Sequence, residues 1–171
     1  MSLKGKRVAI LVEEIYEELE LWYPYYRLLE AGAKVTLVGP EAKVYPSKHG
    51  YPAKADVAAA SVSAADFDAV VVPGGFAPDR LRRYAAVLDL VRGVHAKGGV
   101  VAAICHAGWV LVSAGILKGK RATCVAAIKD DVVNAGATYV DAAVVVDGKL
   151  VTSRTPADLP AFVPAIIAAL Q

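Results

Sequence analysis

The chain has 171 residues, of which 56% are hydrophobic and 21% are charged. This composition supplies enough apolar surface for a packed core and excludes an intrinsically disordered chain. Its 19 basic and 17 acidic residues give a formal net charge of +2. The basic residues are scattered rather than clustered, so we expect no nucleic-acid partner. The length predicts a single domain over residues 1–171.

The cysteines and the apolar segments of the chain indicate its cellular location. Cys105 and Cys124 occur without C-x-x-C or paired-histidine spacing, which predicts neither a disulfide nor a metal site. The apolar stretch near the N-terminus soon reaches acidic residues at Glu13, so it is too short for a secretory signal. Residues 100–117 are apolar but include polar residues and glycines, which favours a buried strand and helix over a membrane span. We therefore expect a cytoplasmic protein without a membrane partner.

Four short apolar runs are typical of buried parallel strands, and helical patterns alternate with them. The predicted strands are residues 8–12, 35–38, 69–72 and 100–104. The predicted helices cover about residues 18–31, 79–97, 106–114, 128–135 and 157–170. Segments 43–57 and 143–151 predict peripheral strands of antiparallel character. This alternation predicts an α/β fold of the flavodoxin-like, doubly wound type, with a mostly parallel sheet sandwiched between helices.

The clearest chemical signal lies where the fourth predicted strand ends, because ligands bind beyond the carboxyl ends of strands in such folds. Residues 103–109 read Ala-Ile-Cys-His-Ala-Gly-Trp, so a thiol stands where a strand gives way to a helix. Small flanking residues fit the sharp turn of a nucleophile elbow. Backbone N–H groups at a helix start favour the thiolate, so we expect Cys105 to be more reactive than Cys124. The alternative is an inert buried cysteine, which is usual for free cysteines.

Two neighbouring features could assist this thiol. His106 is a candidate general base if its ring folds back toward the sulfur. Adjacent side chains on a helix rarely face each other, so a histidine that supplies only its backbone N–H is the alternative. Pro73-Gly74-Gly75 ends another predicted strand and permits a close approach of backbone to a ligand. The amides of Gly75 and His106 could form a two-donor oxyanion hole, although glycine pairs also form simple turns.

Glutamates crowd the end of the first predicted strand and the start of its helix. They occupy positions 13, 14, 17, 18 and 20. Most are expected to be solvated acids that suit the helix dipole. A carboxyl buried beside the thiol would differ, because desolvation and like-charge repulsion would keep its proton available for a hydrogen bond to sulfur.

An ordered series of motifs spans nearly the whole chain. It comprises Glu17-Glu18-Leu19-Glu20-Leu21-Trp22-Tyr23-Pro24, Lys48-His49-Gly50-Tyr51, Pro73-Gly74-Gly75, Ala102-Ala103-Ile104-Cys105-His106, Asp130-Asp131 with Asn134-Ala135-Gly136-Ala137, and Thr152-Ser153-Arg154-Thr155-Pro156-Ala157-Asp158-Leu159. The series closely resembles the PfpI family of intracellular peptidases and deglycases. The resemblance implies a flavodoxin-like domain of the class I glutamine-amidotransferase-like superfamily, with no cofactor. It also implies a homo-oligomer, either a dimer or a hexamer built from dimers.

The resemblance also assigns roles to particular residues. Cys105 resembles the family nucleophile, Glu17 the acid that hydrogen-bonds its sulfur, and His106 the adjacent family histidine. The amides of Gly75 and His106 match the oxyanion hole. In the peptidase branch an acid from the neighbouring subunit orients the histidine, and Asp79 holds that position, where the branch usually has Glu.

Two further positions depart from the family pattern. Ala107 stands where the family often has Gly, which is a mild change at an elbow. Val125 stands where the peptidase branch often has an active-site tyrosine, so a hydroxyl donor near the thiol is missing.

Two classes of function follow. The first is a hydrolase in which the Cys105 thiolate attacks a peptide or amide bond, or a small-molecule carbonyl such as an α-oxoaldehyde and its adducts. The alternative is an oxidation-sensing stress protein or holdase chaperone in which Cys105 is a redox sensor and there is little turnover. The lack of a histidine after His106 argues against a glutamine amidotransferase. A nucleotide binder is disfavoured because no G-x-G-x-x-G follows the first strand.

Overall fold

A computed structural model describes residues 2–171 and contains eleven strands and six α-helices within them. The strands are β1 (Arg7–Leu11), β2 (Lys34–Gly39), β3 (Val44–Pro46), β4 (Pro52–Lys54), β5 (Val57–Ala58), β6 (Ala69–Val72), β7 (Val100–Ile104), β8 (Arg121–Ala122), β9 (Thr138–Tyr139), β10 (Val144–Asp147) and β11 (Leu150–Ser153). The helices are α1 (Glu18–Glu30), α2 (Ala77–Leu81), α3 (Ala85–Ala96), α4 (Gly108–Ala114), α5 (Lys129–Asn134) and α6 (Leu159–Leu170).

Seven strands form the central sheet in the order β10-β11-β7-β6-β1-β2-β5. Every neighbouring pair is parallel except β10 and β11, which pair antiparallel. Strands β6 and β7 are buried at every position, as expected for parallel strands that helices cover on both faces. The predicted doubly wound α/β fold with a mostly parallel sheet is confirmed.

The helices form two groups that flank this sheet. Helix α1 contacts α6 and β2, whereas α3 contacts α4, β6 and β7. In α1, Leu21, Pro24 and Leu28 are buried at helical spacing, which gives the helix one apolar side toward the sheet. Among residues 2–171, no helix is both long and apolar enough to cross a membrane.

Three elements differ from the sequence-based prediction. The helix predicted over 79–97 is two helices, because Tyr84 adopts extended backbone angles between α2 and α3, and neither Gly nor Pro marks this break. Strand β11 is an internal strand that pairs parallel with β7, not a peripheral one. Its polar Ser153 is fully buried because its hydroxyl donates to the Ala143 carbonyl at 2.6 Å. Strand β5 extends the main sheet in parallel with β2, whereas β3 and β4 form the expected antiparallel hairpin.

The loops after β1 and β6 and the hairpin between β3 and β4 meet at the carboxyl edge of the sheet. Segment 15–17 joins them through backbone hydrogen bonds. The Phe76 N–H donates to the Ile15 carbonyl at 2.8 Å, and the Lys48 N–H donates to the Tyr16 carbonyl at 3.0 Å. The fold therefore brings residues that are far apart in sequence around the end of β7.

The close packing around Gly75 leaves no room for a side chain, so we expect a substitution there to lower the stability of the fold. A Cβ there would lie 2.5 Å from the Glu17 nitrogen and 2.6 Å from the Ile15 carbonyl oxygen, and the backbone φ is +78°. We expect Gly75→Ala to lower the free energy of unfolding by about 1–3 kcal/mol through overpacking, in addition to backbone strain. Urea denaturation measures this loss.

Gly50→Ala is the matched control, because Gly50 has a φ of +86° with nothing within 4 Å of the added Cβ. It should show only the strain of the left-handed backbone, about 1 kcal/mol. Equal losses in the two variants would contradict a tight junction at Gly75.

Candidate active site

Cys105 lies in a strained turn between β7 and α4. Its φ is +62°, and Ile15, with a φ of +63°, is the other non-glycine residue of positive φ among residues 2–171. Such angles are unfavourable for L-residues, and above all for a β-branched one, so the surrounding structure must hold them. Both strained residues line the same cavity. This is the backbone geometry expected of a nucleophile elbow.

The cavity has a volume of about 460 Å³ and opens to solvent at the carboxyl edge of the sheet. It is lined by Ile15, Glu17, Glu20, Lys48, Gly75, Phe76, Cys105, His106, Trp109 and Pro156. The structure therefore brings together four residues that the sequence singled out: Cys105, His106, Glu17 and Gly75. Asp79 is absent from the lining.

The His106 ring folds back onto the thiol. Its Nδ1 lies 3.3 Å from the Cys105 sulfur, and its ring centroid lies 5.3 Å from that of Trp109. The Trp109 indole N–H donates to Asp131 at 2.7 Å, which fixes the tryptophan ring. Burial lowers the pKa of His106, so the imidazole is neutral at pH 7 and can accept a proton.

The carboxyl group beside the sulfur belongs to Glu20. Its side chain is fully buried, accepts a hydrogen bond from the Gly74 N–H at 2.7 Å and interacts with the Cys105 thiol. Glu17 instead forms an ion pair with Lys48 at the edge of the cavity. The expected partner of the sulfur therefore changes from Glu17 to Glu20. Glu17 precedes the first residue of α1, whereas Glu20 lies within its first turn, and side chains there point back toward the helix start.

Glu20 holds its proton unusually tightly. Burial raises the pKa of this carboxyl to about 7, and the charge of Glu17 adds to the rise, while the Gly74 N–H opposes it. The Oε1 atom is buried and has no hydrogen-bond partner within residues 2–171. Near neutral pH, a substantial fraction of Glu20 is therefore protonated, and the ionised fraction accepts a hydrogen bond from the Cys105 thiol.

The thiol itself is protonated at rest. Burial and the charge of Glu20 raise the pKa of Cys105 to about 12, and the backbone N–H groups of His106 and Gly75 only partly oppose this. The backbone N–H groups therefore favour the thiolate, as expected, but burial and Glu20 outweigh them. The turn at residues 105–107 is a short 3-10 helix, and desolvation together with a neighbouring carboxylate outweighs its dipole.

Cys124 differs from Cys105 in exposure rather than in charge state. Burial also raises the pKa of Cys124 to about 12, but its side chain is buried, whereas Cys105 is partly exposed. Reagents and substrates therefore reach Cys105 first.

Two backbone donors converge on the sulfur. The N–H groups of Gly75 and His106 both interact with Cys105. Gly74 lets them approach, since a Cβ there would lie 2.8 Å from the Cys105 Cβ and 2.5 Å from Glu20 Oε2. Donors in this position could stabilise negative charge on an oxygen bound to a carbon that the sulfur attacks.

Asp79 lies on α2, away from the cavity. Its carboxylate pairs with Arg83 at 2.7 Å within the same protomer. No carboxylate of residues 2–171 hydrogen-bonds His106, whose ring contacts only the sulfur in that way. The role of Asp79 across a subunit interface stays a prediction.

Sequence reasoning gave no role to Trp109 and Lys48, which line the cavity, and misplaced one acid. Trp109 follows His106 by three residues, which is the helical spacing that places its ring against the imidazole. Lys48 belongs to the Lys-His-Gly motif but carried no assigned chemistry. Within residues 2–171, no three His, Cys, Asp or Glu side chains are arranged to hold a metal ion.

A doubly wound sheet that presents a thiol from a strained strand-to-helix turn defines the class of α/β proteins with a cysteine elbow. The DJ-1/PfpI family matches residues 6–169, and the chain belongs to this family. It is 43% identical to a deglycase of Pyrococcus abyssi over 96% of this chain and 99% of that protein. It is 41% identical to the deglycase PfpI of Pyrococcus furiosus, with the same two coverages.

A solved structure agrees with this assignment. A two-domain protein of Anabaena variabilis, with DJ-1/ThiJ/PfpI-like and ferritin-like domains, matches with a TM-score of 0.95 and 43% identity. The match covers 97% of this chain and 48% of that protein, so this chain spans about half its length.

The buried carboxyl predicts a specific change in thiol reactivity. Because the negative charge of Glu20 raises the pKa of Cys105, Glu20→Gln should lower that pKa and move the pH profile of Cys105 alkylation to lower pH. We expect a shift of about one unit or more, hence about tenfold faster labelling at a fixed pH below the midpoint. Iodoacetamide labelling followed by peptide mass spectrometry measures the rate.

Glu14→Gln is the control, since Glu14 pairs with Arg80 and does not line the cavity. Its labelling profile should match the wild type. An unchanged profile in Glu20→Gln would show that the carboxyl does not control the thiol.

Proposed function

We propose that this protein is a cofactor-independent, cysteine-dependent deglycase that removes α-oxoaldehyde adducts from amines and thiols and releases a 2-hydroxy acid. One observation carries the proposal: Cys105 stands in an open cavity with an imidazole nitrogen 3.3 Å away and two backbone N–H groups on its sulfur. Relatives at 43% and 41% identity that are named deglycases support it. The proposal includes a single domain over residues 1–171 and a cytoplasmic location, where reducing conditions keep the thiol free.

In the first step, the Cys105 sulfur bonds to the carbinol carbon of the adduct while the bond from that carbon to the amine breaks. His106 accepts the thiol proton and passes it to the leaving amine. The amides of Gly75 and His106 donate to the hydroxyl oxygen on that carbon and orient it for the displacement. The products are a free amine and a hemithioacetal on Cys105.

In the second step, the proton on the sulfur-bound carbon moves through an enediol to the adjacent carbon. Glu20 is the group that shuttles it, because its pKa of about 7 lets the carboxyl both accept and donate near neutral pH. This internal transfer oxidises one carbon and reduces its neighbour, so no external oxidant is needed. Water then cleaves the resulting thioester, restores the thiol and, for a methylglyoxal adduct, releases lactate.

The charge state of the site argues against a redox sensor. Sensor cysteines carry a thiolate at rest, whereas burial and Glu20 keep Cys105 protonated. A neutral thiol beside a neutral imidazole suits a nucleophile that loses its proton as it attacks. Peptide cleavage would use the same thiol and oxyanion donors, so it is measured beside deglycation.

Cys105→Ala should abolish lactate release from methylglyoxal-treated N-acetyl-lysine, because the nucleophile is removed. His106→Gln should lower the rate by about 10²–10⁴-fold, the usual loss for a general base. Enzymatic lactate determination, run beside cleavage of a fluorogenic peptide amide, measures both activities. Cys124→Ala is the control and should keep wild-type turnover.

Undiminished lactate release by Cys105→Ala would overturn the deglycase proposal. Peptide cleavage that depends on Cys105 without lactate release would assign a peptidase instead. A sulfinate at Cys105 with no turnover on either substrate would assign the sensor.

We also propose that the site is completed in a homo-oligomer. His106 lacks a carboxylate partner within residues 2–171, and Phe76 at the rim of the cavity is 48% exposed. Asp79 lies three residues after Phe76. A neighbouring copy that packs on Phe76 could therefore place its own Asp79 beside His106 of this copy. Pro78, two residues after Phe76, is buried within the protomer.

Phe76→Asp should dissociate the oligomer and lower turnover by about tenfold or more, because His106 loses its orienting acid. Size-exclusion chromatography with light scattering, run beside the lactate assay, tests both effects. Val146→Asp, on the edge strand β10 and 45% exposed, is the control. A fully active monomer would contradict the role of Asp79.

A further inference from the structure

The active-site cavity contains an ion pair that the proposed chemistry does not use. The Lys48 ammonium contacts the Glu17 carboxylate, and both side chains line the cavity with Cys105 and Glu20. The Glu17 side chain is only 10% exposed, whereas that of Lys48 is 41% exposed. A carboxylate this well shielded from water acts strongly on its neighbours unless a cation cancels it.

The fold holds Lys48 in place from two sides. The turn between β3 and β4 is tied to the start of α1 by Glu18, which accepts from the Ser47 hydroxyl and, at 3.0 Å, from the His49 backbone N–H. The Lys48 backbone N–H donates to the Tyr16 carbonyl at 3.0 Å. Glu18 therefore fixes the turn on its outer side, and the next residue of the turn reaches inward to Glu17.

Few charged groups face the buried carboxyl of Glu20. They are Glu17 at the start of α1, Lys48 in the turn, and the Cys105 thiol at the elbow, and the Gly74 N–H is the polar neighbour. The charge of Glu17 raises the pKa of Glu20, and the charge of Lys48 lowers it. Low polarity around the carboxyl makes both effects stronger than they would be in water.

The thiol and the cation have neighbours of their own. Cys105 faces Glu20 and the His106 ring, together with the backbone N–H groups of Gly75 and His106. Lys48 faces Glu18 in addition to Glu17 and Glu20. Glu18 already accepts hydrogen bonds from Ser47 and His49. Lys48 is therefore the cation that neutralises Glu17.

We propose that Lys48 is a positioning residue of this site: by cancelling the charge of Glu17, it sets how readily Glu20 and Cys105 release the proton that they hold together. Lys48 touches neither the reacting sulfur nor the substrate in this role. The inference rests on the proposed function, because it concerns the same thiol. Lys48 controls proton release and takes part in no step of the reaction.

The test is the pH profile of Cys105 alkylation by iodoacetamide, which needs no turnover. Lys48→Met exposes the charge of Glu17 and should move the profile to higher pH by about half a unit to one unit, hence about three- to tenfold slower labelling at a fixed pH. Glu17→Gln leaves Lys48 unopposed and should move the profile to lower pH. The double variant removes both charges and should return close to the wild-type profile.

Lys48→Arg keeps the cation and should restore the wild-type profile, which a merely structural contact would not require. Thermal unfolding confirms that each variant is folded. An unchanged profile in Lys48→Met, while Glu20→Gln shifts, would overturn the inference. A raised KM for the adduct with an unchanged alkylation profile would assign Lys48 to substrate binding and would also overturn it.

These outcomes separate the inference from the proposed function. If the alkylation profiles shift as expected but no variant, including the wild type, releases lactate, the electrostatic role stands and the deglycase assignment fails. If lactate release depends on Cys105 but the profiles do not shift, the deglycase assignment stands and the role of Lys48 fails.

Discussion

The site depends on one contact, the buried carboxyl of Glu20 against the Cys105 thiol. Neither group is favoured in its charged form there, because burial raises the pKa of both, and the charge of Glu20 raises that of Cys105 further. Gly74 makes the contact possible, since any side chain at that position would collide with both groups. The site therefore rests with a protonated thiol beside a neutral imidazole.

This arrangement needs a backbone that the core can hold under strain. Cys105 and Ile15 both have positive φ, and both line the same cavity. The cost of such angles is met by the packed strands β6, β7 and β1, which are buried almost throughout. The same junction aims two amides at the sulfur and leaves the cavity open, so rigidity and access coexist at the carboxyl edge of the sheet.

The charged side chains of the cavity follow one another from the thiol toward solvent. The innermost acid is Glu20, the next is Glu17, and Lys48 closes the series where the cavity meets solvent. Water screens Lys48 most, because its side chain is 41% exposed whereas that of Glu17 is 10% exposed. Substrate that displaces water from this rim would strengthen every one of these interactions.

The sequence by itself determined the parallel sheet, the elbow at Cys105 and the glycine pair, because each depends on residues adjacent in the chain. Apolar runs, small residues and turn formers act within a few positions, so their patterns are visible in one dimension. Only the tertiary structure decided that Glu20 rather than Glu17 meets the sulfur, that β11 is internal, and that Lys48 faces the site. These outcomes depend on side-chain directions at a helix start and on contacts between distant segments, which no local pattern encodes.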